Sequence, residues 1–355
     1  FLSQHIGDLD NPLALSFYRE TIKHLQQILD IEPELIAYDL HPEYLSSQYA
    51  RSLKGLPKVG VQHHHAHLAS VMAENGVNGR VLGIILDGTG YGIDGTIWGG
   101  ELLVGGYESF ERIAWLEPVP MPGGTAAIKS PWRMALSYLY HTFGDRFWNW
   151  DLPCISSISP EQRELLLRAI ERRINCPLTS SCGRLFDGVA SLLGLCHEVT
   201  YEAQAAIRVE ALATTAVDRA DISRQQKTMK TELGALPLRP IVEKTVNSFM
   251  KGEPLEKTAY EFHDDLATLW VSAAVAAREK TAVSWVALSG GVYQNNVFLE
   301  LMVNRLRREG FLVLTHREIP TNDGGLAVGQ AVIADNVYQS RRKTGAITYV
   351  SSGTG

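Results

Sequence analysis

Two apolar segments that each run directly into a glycine-rich turn constrain the fold more than any other feature. Val81 to Asp87 is followed by Gly88-Thr89-Gly90-Tyr91-Gly92, and Ser284 to Leu288 is followed by Ser289-Gly290-Gly291. Short continuous apolar runs bounded by glycine are typical of buried strands. Helical and strand-like patterns alternate around both units, so the sequence predicts a two-lobed α/β protein with a cleft between its lobes.

The proline- and glycine-rich segment Pro118 to Gly124 predicts where the two lobes divide. We expect a first α/β lobe at residues 1–118, and a second lobe with a helical insertion at residues 119–355. We expect the last helix, about residues 324–337, to pack back on the first lobe. The polar stretch Asp218 to Glu232 is expected to form a surface excursion.

Composition excludes several classes of protein. The formal net charge is −6, with 33 Lys+Arg against 39 Asp+Glu, which argues against nucleic acid as a partner. The longest near-apolar stretch, Leu266 to Ala277, is too short for the roughly 20 residues that span a membrane. Four cysteines without a C-x-x-C pair predict reduced thiols rather than a zinc finger. We therefore expect a cytoplasmic protein, and a start without Met or signal peptide indicates a piece of a longer chain.

Four histidines within five positions predict a metal site. In a helix, His63 and His67 stand at positions i and i+4 on one face and can reach one ion, whereas a purely structural cluster is the alternative. Imidazole suits zinc or iron, and further ligands are needed. Asp87 and Asp323 are the best candidates because each ends or follows a strand and precedes glycine; Asp94 lies further into its loop.

Three glycine-containing turns could contact a nucleotide. Gly88, Thr89 and Gly90 could cradle a phosphate or form an ordinary hairpin. Gly290 and Gly291, with Asn295 on the helix that follows, could bind phosphate and a polar base edge, or form a plain strand-to-helix turn. Asp187, one helical turn after Gly183, could bind a ribose hydroxyl or cap its helix.

Eight motifs, in this order, resemble the carbamoyltransferase family HypF of NiFe-hydrogenase maturation, in its C-terminal, TsaD-like part. The motifs are SQHIGDL at Ser3 to Leu9, VQHHHAH at Val61 to His67, LDGTGYG at Leu86 to Gly92, WGGE at Trp98 to Glu101, PWRMAL at Pro131 to Leu136, SSCGRLFD at Ser180 to Asp187, LSGGVYQN at Leu288 to Asn295 and NDGGLAVGQA at Asn322 to Ala331. The resemblance runs nearly end to end. It implies the two-lobed actin/Hsp70/sugar-kinase fold (ASKHA, ribonuclease H-like) with a central nucleotide and metal cleft.

The resemblance also implies an activity, cofactors and partners. HypF uses carbamoyl phosphate and ATP to make carbamoyl-adenylate, and passes the carbamoyl group to the C-terminal cysteine of HypE. A YrdC-like domain forms the adenylate, and this chain shows no such domain, so only the transfer step is assigned to it. The cofactors implied are zinc or iron in the cleft, ATP, AMP or carbamoyl-adenylate, and magnesium as a further option.

Specific residues carry these implied roles. The metal would be held by His63, His67, Asp87 and Asp323. The phosphates would face the turns Gly88 to Gly90 and Gly290-Gly291, and ribose and base would contact Gly183, Asp187 and Asn295. We expect His64 or His65 to assist deprotonation of the acceptor thiol.

Two positions bear on how far the resemblance extends. The position of Asp87 is not a carboxylate in TsaD-like relatives, which favours the HypF branch, and Ala203 replaces the glycine of the family's Y-E-G-Q element. The alternatives are a threonylcarbamoyl or O-carbamoyl transferase, a kinase or ATPase of the same fold, and a non-enzymatic nucleotide-binding scaffold. Fold alone does not separate these.

Overall fold

A computed structural model describes residues 1–9, 11–217 and 231–343 of the chain. The predicted polar excursion at 218–232 lies outside the described residues except for positions 231 and 232. Nothing in the described part forms a helix with the length and apolar character needed to cross a membrane.

The strands form a small and a large sheet. In chain order they are β1 (Ile36–Asp39), β2 (Lys58–Val61), β3 (Val81–Tyr91), β4 (Ile97–Gly105), β5 (Phe110–Leu116), β6 (Val119–Pro120), β7 (Leu178–Thr179), β8 (Gly234–Leu236), β9 (Trp285–Ser289) and β10 (Leu312–Leu314). β1 and β2 pair in parallel. The large sheet has the order β10-β9-β3-β4-β5-β8, with β7 joining β4 and β6 joining β7. β3 is parallel to β9 and antiparallel to β4.

The helices follow the amphipathic and capping patterns of the sequence. They are α1 (Pro12–Leu29), α2 (Leu45–Ser52), α3 (His63–Glu74), α4 (Ala126–Lys129), α5 (Pro131–Phe143), α6 (Pro153–Ser156), α7 (Pro160–Arg172), α8 (Cys182–Leu192), α9 (Gln204–Val217), α10 (Arg239–Met250), α11 (Leu255–Thr281), α12 (Asn296–Arg308) and α13 (Leu326–Lys343). Short 3₁₀ turns lie at Gly144–Phe147, Gly291–Gln294 and Asp323–Gly325.

Both faces of β3 are covered, which explains its continuous apolar sequence. Leu82, Ile84 and Leu86 belong to the large core, which also contains the buried residues of α5, α8 and α11. Val81 and Ile85 point to the opposite face and pack with buried residues of α3. The large sheet is therefore a middle layer between helices.

β3 does not end at Asp87, so the predicted turn at Gly88 to Gly90 is wrong. The strand continues to Tyr91, with a register shift between Leu86 and Gly90. At Gly90, a Cβ atom would overlap the His64 ring. The glycine thus serves the close approach of helix α3 to the strand, and the chain reverses only after Gly92.

The last helix, α13, packs closely on α3. Gly325, just before α13, receives a hydrogen bond at its carbonyl from Oγ of Ser70 at 2.9 Å. A Cβ atom at Gly329 would overlap the carbonyl oxygen of Ala66. Leu326 and Ile333 share a buried cluster with α3. This packing brings the segment before α13 beside the first turns of α3.

Strand pairing crosses the predicted lobe boundary. β3 to β5 precede residue 118, and β8 to β10 follow it, yet all belong to one sheet. The division of the chain into lobes at residues 118 and 119 stays a prediction.

Candidate metal centre

Four side chains that the sequence nominated as metal ligands lie together. Ligand atoms of His63, His67, Asp87 and Asp323 are all within 4.8 Å of one another. Nε2 of His63 is 3.3 Å from Oδ2 of Asp87 and 3.5 Å from Oδ1 of Asp323. Nε2 of His67 is 3.7 Å and 3.4 Å from the same two oxygens.

Local geometry explains how three segments place these donors. Helix α3 begins at His63, and the side chain of Gln62 caps it by accepting the N–H of His65 at 2.9 Å. Positions i and i+4 put His63 and His67 on one face. Asp87 lies in the irregular part of β3, where its Oδ1 accepts the N–H of Gly291 at 3.0 Å.

Asp323 completes the set from a separate loop. It begins the 3₁₀ turn Asp323–Gly325, and Asn322 caps this turn by accepting the N–H of Gly324. His63, His67 and Asp87 are buried, whereas the side chain of Asp323 is 59% exposed. The donor set is therefore open to solvent on the Asp323 side.

A carboxylate that the sequence analysis missed orients His63. Oδ2 of Asp39 lies 2.9 Å from Nδ1 of His63, and Asp39 is buried at the end of β1. This contact holds a proton on Nδ1 and leaves Nε2 as the nitrogen that faces the cluster and would bind a metal ion, as in carboxylate–histidine–metal arrangements. The sequence did contain a signal for Asp39, because this carboxylate ends an apolar strand, which is the position that was predicted for Asp87.

The donor atoms fit a metal ion by a test on this structure. Among the described residues, Nε2 of His67 is a buried nitrogen without a hydrogen-bond partner. Nδ1 of the same ring is 3.2 Å from Oγ of Ser289. A buried polar atom without a partner is costly, and two imidazoles with two carboxylates form a donor set that suits zinc or iron.

The electrostatics of the cluster are those of mutually attracting charges. Burial alone would lower the pKa of His63, but the carboxylates of Asp323, Asp39 and Asp87 outweigh it and hold that pKa well above the usual value. The pKa of His67 is also raised, because Asp323 and Asp87 outweigh burial. Conversely, burial is outweighed at Asp87 by the two histidines, which hold its pKa well below the usual range.

The two histidines proposed as thiol bases, His64 and His65, have different surroundings in the structure. His64 is fully buried, its Nδ1 lies 3.3 Å from Nε2 of Gln62, and burial holds its pKa well below the usual value. Nε2 of His65 is 2.7 Å from the carbonyl oxygen of Gly106, and its ring packs on Phe110. The structure does not bring His65 to the cluster, because two residues' rotation along α3, about 200°, turns it away from His63.

The glycines of the proposed nucleotide site surround Asp87. A Cβ at Gly291 would contact Oδ1 of Asp87, and a Cβ at Gly183 would lie 2.9 Å from Cα of Gly88. Gly290 has a φ of +109°, where a Cβ would overlap the carbonyl of Leu86. Three chain segments thus approach each other closely because glycine has no side chain at these positions. Thr89 lies on β3 beside them and is half-buried.

Two predicted nucleotide contacts have partners within the fold. Oδ1 of Asn295 caps α12 by accepting the N–H of Phe298 at 2.9 Å, and its Nδ2 is 2.9 Å from Nε2 of His263. Asp187 is buried, and its Oδ2 lies 3.0 Å from Nε of Arg184, an ion pair in which neither of these two atoms makes a hydrogen bond. Burial raises the pKa of Asp187, although Arg184 opposes the shift. Asn295 therefore caps a helix, whereas Oδ2 of Asp187 has no hydrogen-bond partner. Contacts of these two residues with ribose or base stay a prediction.

Ala203, which replaces an expected glycine, takes up a left-handed conformation. Its φ is +58°, and α9 begins at the next residue. Few residues other than Gly adopt this region without strain. The backbone shape at this position is therefore one that glycine would adopt easily, despite the substitution.

Family models match most of the chain. The model described as "HypF Kae1-like domain" matches residues 1–74, and the model described as "Carbamoyltransferase, Kae1-like Domain, second subdomain" matches residues 83–330. The cluster draws on both: His63 and His67 belong to the first match, whereas Asp87 and Asp323 belong to the second.

Curated relatives carry the same family name. The chain is 40% identical over 348 residues to "Carbamoyltransferase HypF" of Synechocystis sp., covering 93% of this chain and 44% of the relative. It is 34% identical over 334 residues to "Carbamoyltransferase HypF homolog" of Cupriavidus necator, covering 92% of this chain and 84% of the relative. The chain thus spans less than half of the first relative and most of the second.

A solved structure shares the fold. The structure described as full-length HypF in the phosphate- and nucleotide-bound form is 37% identical, with a TM-score of 0.85 over 94% of this chain and 52% of that one. Together with the Kae1-like family models, this match confirms the predicted α/β fold of the actin/Hsp70/sugar-kinase class.

Proposed function

Because the chain belongs to the HypF Kae1-like domain family, we propose that it transfers a carbamoyl group from carbamoyl-adenylate to a thiol. The acceptor is the C-terminal cysteine of a HypE-type partner in NiFe-hydrogenase maturation. The chain spans 44% of the Synechocystis relative, so formation of the adenylate from ATP and carbamoyl phosphate is assigned to a separate YrdC-like domain. A cytoplasmic location and the absence of a nucleic-acid partner remain predictions.

The observation that carries this proposal is the convergence of four metal-binding side chains. His63, His67, Asp87 and Asp323 meet where β9 ends and its pairing with β3 stops, with Gly290 and Gly291 directly beside Asp87. Ligands of open α/β sheets bind outside the carboxyl ends of strands. A kinase or a scaffold of this fold does not require paired histidines at that position.

The donor set fits zinc or iron bound through Nε2 of each histidine and one oxygen of each carboxylate. A bound divalent ion supplies a Lewis acid that polarises the carbamoyl oxygen. The four side chains hold it in place, and Asp39 keeps the Nε2 lone pair of His63 pointed at the site.

The chain's own groups bind the leaving nucleotide. Helix α8 begins at Cys182 after its cap Ser181, whose Oγ donates to the carbonyl of Gly88, so the positive end of α8 lies against the glycines of β3. This end favours an adenylate phosphate. In the transfer, the thiol sulfur bonds to the carbamoyl carbon, the carbon–oxygen bond to the phosphate breaks, AMP leaves and the thiol proton passes to solvent buffer.

The experiment is the intact mass of a HypE-type partner after incubation with this chain. A separate YrdC-like domain, ATP and carbamoyl phosphate supply the adenylate. We expect a mass gain of one carbamoyl group on the terminal cysteine. His67→Ala and Asp87→Asn should abolish the gain, whereas the exposed His24→Ala should retain it.

Two outcomes contradict the proposal. A folded, metal-loaded wild-type chain that gives no mass gain would show that it is not sufficient for transfer. An undiminished gain in both His67→Ala and Asp87→Asn would show that transfer does not use this cluster.

A further inference from the structure

A continuous line of hydrogen-bonded side chains lies behind His67. Nδ1 of His67 is 3.2 Å from Oγ of Ser289, and this Oγ is 3.0 Å from Nε2 of His316. Nδ1 of His316 is 2.7 Å from Oε2 of Glu74. Ser289 is fully buried, and the side chains of His316 and Glu74 are 5% and 10% exposed. We call these four residues the His67 relay.

The other oxygen of Glu74 is also fully used. Oε1 accepts the backbone N–H groups of residues 317, 318 and 319 at 2.9, 2.6 and 3.2 Å. Burial opposes ionisation of Glu74, but these N–H groups and His316 hold its pKa below the usual range. The ionised carboxylate is an acceptor only.

The donors and acceptors available in the His67 relay then determine which group donates each of its hydrogen bonds. Because Glu74 only accepts, Nδ1 of His316 carries the proton. Burial lowers the pKa of His316, which favours the neutral ring, so Nε2 of His316 accepts. The hydroxyl of Ser289 therefore donates to His316 at 3.0 Å rather than to the more distant carbonyl oxygen of Thr321 at 3.4 Å, and its lone pairs accept Nδ1–H of His67.

We propose that Glu74, His316 and Ser289 are positioning residues that keep a proton on Nδ1 of His67, so that Nε2, which faces Asp87 and Asp323, is the nitrogen left to bind the metal. The inference rests on the metal role of His67 in the proposed function. The two histidines are thus oriented differently: Asp39 contacts His63 directly, whereas Glu74 acts on His67 through two intermediate side chains.

The carboxylate–histidine–serine order resembles a nucleophilic triad, but the location argues against that use. Ser289 is fully buried, and it contacts Nδ1 of His67 rather than the Nε2 side that faces the carboxylates. An acyl donor bound at the cluster would lie beside Nε2 of His67, on the opposite side of the ring from Ser289. The His67 relay therefore serves to orient His67 as a metal ligand.

Glu74→Gln gives the sharpest test, because it should reverse the relay rather than break it. Three N–H groups require an acceptor at the Oε1 position, so the new amide nitrogen must occupy the Oε2 position and donate to His316. Nε2 of His316 would then carry the proton and donate to Ser289. The hydroxyl of Ser289 would donate to Nδ1 of His67, which is nearer at 3.2 Å than the carbonyl oxygen of Thr321 at 3.4 Å. That places the proton of His67 on Nε2 and blocks the ligand.

We expect Glu74→Gln to weaken zinc binding about 10- to 100-fold, measured by competition with a chromophoric chelator. Glu300→Gln, the same change at an exposed site on α12, should leave the affinity unchanged. The reversed hydrogen bonds reach His67 only through Ser289. The double variant Glu74→Gln with Ser289→Ala should therefore bind zinc no more weakly than Ser289→Ala alone. Wild-type affinity in folded Glu74→Gln, or additive losses in the double variant, would overturn the inference.

A second readout does not depend on metal or on activity. Nitrogen-15 NMR of labelled histidines, with His316 assigned by the signal missing in His316→Gln, reports its tautomer at pH 8. We expect Nδ1–H in the wild type and Nε2–H in Glu74→Gln; Nε2–H in the wild type would overturn the relay even if Ser289→Ala does not fold. A wild-type chain that binds zinc but transfers no carbamoyl group would contradict the proposed function and leave this inference standing.

Discussion

Single residues around the cluster act through the proton that each histidine carries. His63 and His67 can bind a metal through Nε2 only if Nδ1 holds the proton, and each Nδ1 faces an oxygen, that of Asp39 or that of Ser289. A buried histidine of α11 outside the cluster, His263, shows the same dependence on neighbours, since its two nitrogens face the carbonyl oxygen of Ala259 and the side-chain amide of Asn295. Isosteric substitutions of these neighbouring residues should therefore change which ring nitrogen carries the proton.

Asp39→Asn should weaken metal binding without unfolding the chain. Oδ1 of Asp39 accepts the N–H of His41 at 2.7 Å, so the amide nitrogen would replace Oδ2 and face Nδ1 of His63. The ring would then carry its proton on Nε2. We expect about a 10- to 100-fold lower zinc affinity by titration calorimetry. The exposed Asp151→Asn is the control, and equal affinity in the two variants would refute the role of Asp39.

His263 should make stability depend on pH. Burial lowers the pKa of His263 to about 4, whereas the unfolded value is about 6.5. The unfolded chain therefore binds the proton first, so the contribution is complete above pH 6.5 and is lost as pH falls towards 4. At about 1.4 kcal/mol per pKa unit, this loss is about 3 kcal/mol.

The measurement for His263 is urea unfolding at pH 7 and pH 4.5 with a chelator present. The wild type should lose more stability between these values than His263→Gln, whereas the exposed His24→Gln should follow the wild type. An identical loss in wild type and His263→Gln would contradict the prediction.

At the scale of elements, the sequence predicted what local periodicity determines. The i, i+4 spacing of His63 and His67 needs only helix geometry. The strand-end rule selected Asp87 and Asp323, although β3 continues past Asp87. The rule failed where tertiary contacts decide. Glycine within β3 was read as a turn, yet it allows α3 to approach the strand. The His67 relay joins three separate segments, so no local pattern could reveal it.

Gly329→Ala should disturb both packing and the metal site. A Cβ at this position overlaps the carbonyl of Ala66, so α13 would have to move away from α3 and carry the Asp323 turn with it. We expect a loss of about 2 kcal/mol of unfolding free energy, with weaker zinc binding. Ala331→Ser, an exposed change on α13, is the control. Unchanged melting temperature and zinc affinity in Gly329→Ala would show that this contact is not required.

Ala203→Gly should stabilise the chain. The left-handed conformation at Ala203 costs roughly 1 kcal/mol that glycine does not incur, although glycine also gains freedom in the unfolded chain. A net gain of about 0.5 kcal/mol in urea unfolding is expected. Ala206→Gly, within the helix α9, should instead destabilise. A loss of stability in Ala203→Gly would contradict the conformation described.

At the scale of the whole molecule, the cluster joins the two parts recognised by the family models. His63, His67, Asp39 and Glu74 come from residues 1–74, whereas Asp87, Ser289, His316 and Asp323 come from residues 83–330. Neither part alone contains the full donor set. The sheet supplies the framework, because parallel β3 and β9 present Asp87 and the Gly290-Gly291 turn at one edge. A metal bound at the cluster would therefore stabilise the arrangement of both parts together.

Anomalous diffraction from crystals of the metal-loaded chain, recorded at the zinc and iron absorption edges, is the decisive measurement for the metal site. We expect one peak bonded to Nε2 of His63, Nε2 of His67 and a carboxylate oxygen each of Asp87 and Asp323, and the edge at which it appears identifies the metal. A peak that excludes these residues, or hydrogen-bonded histidines with no peak between them in crystals grown with excess metal, would rule out a metal site at this cluster.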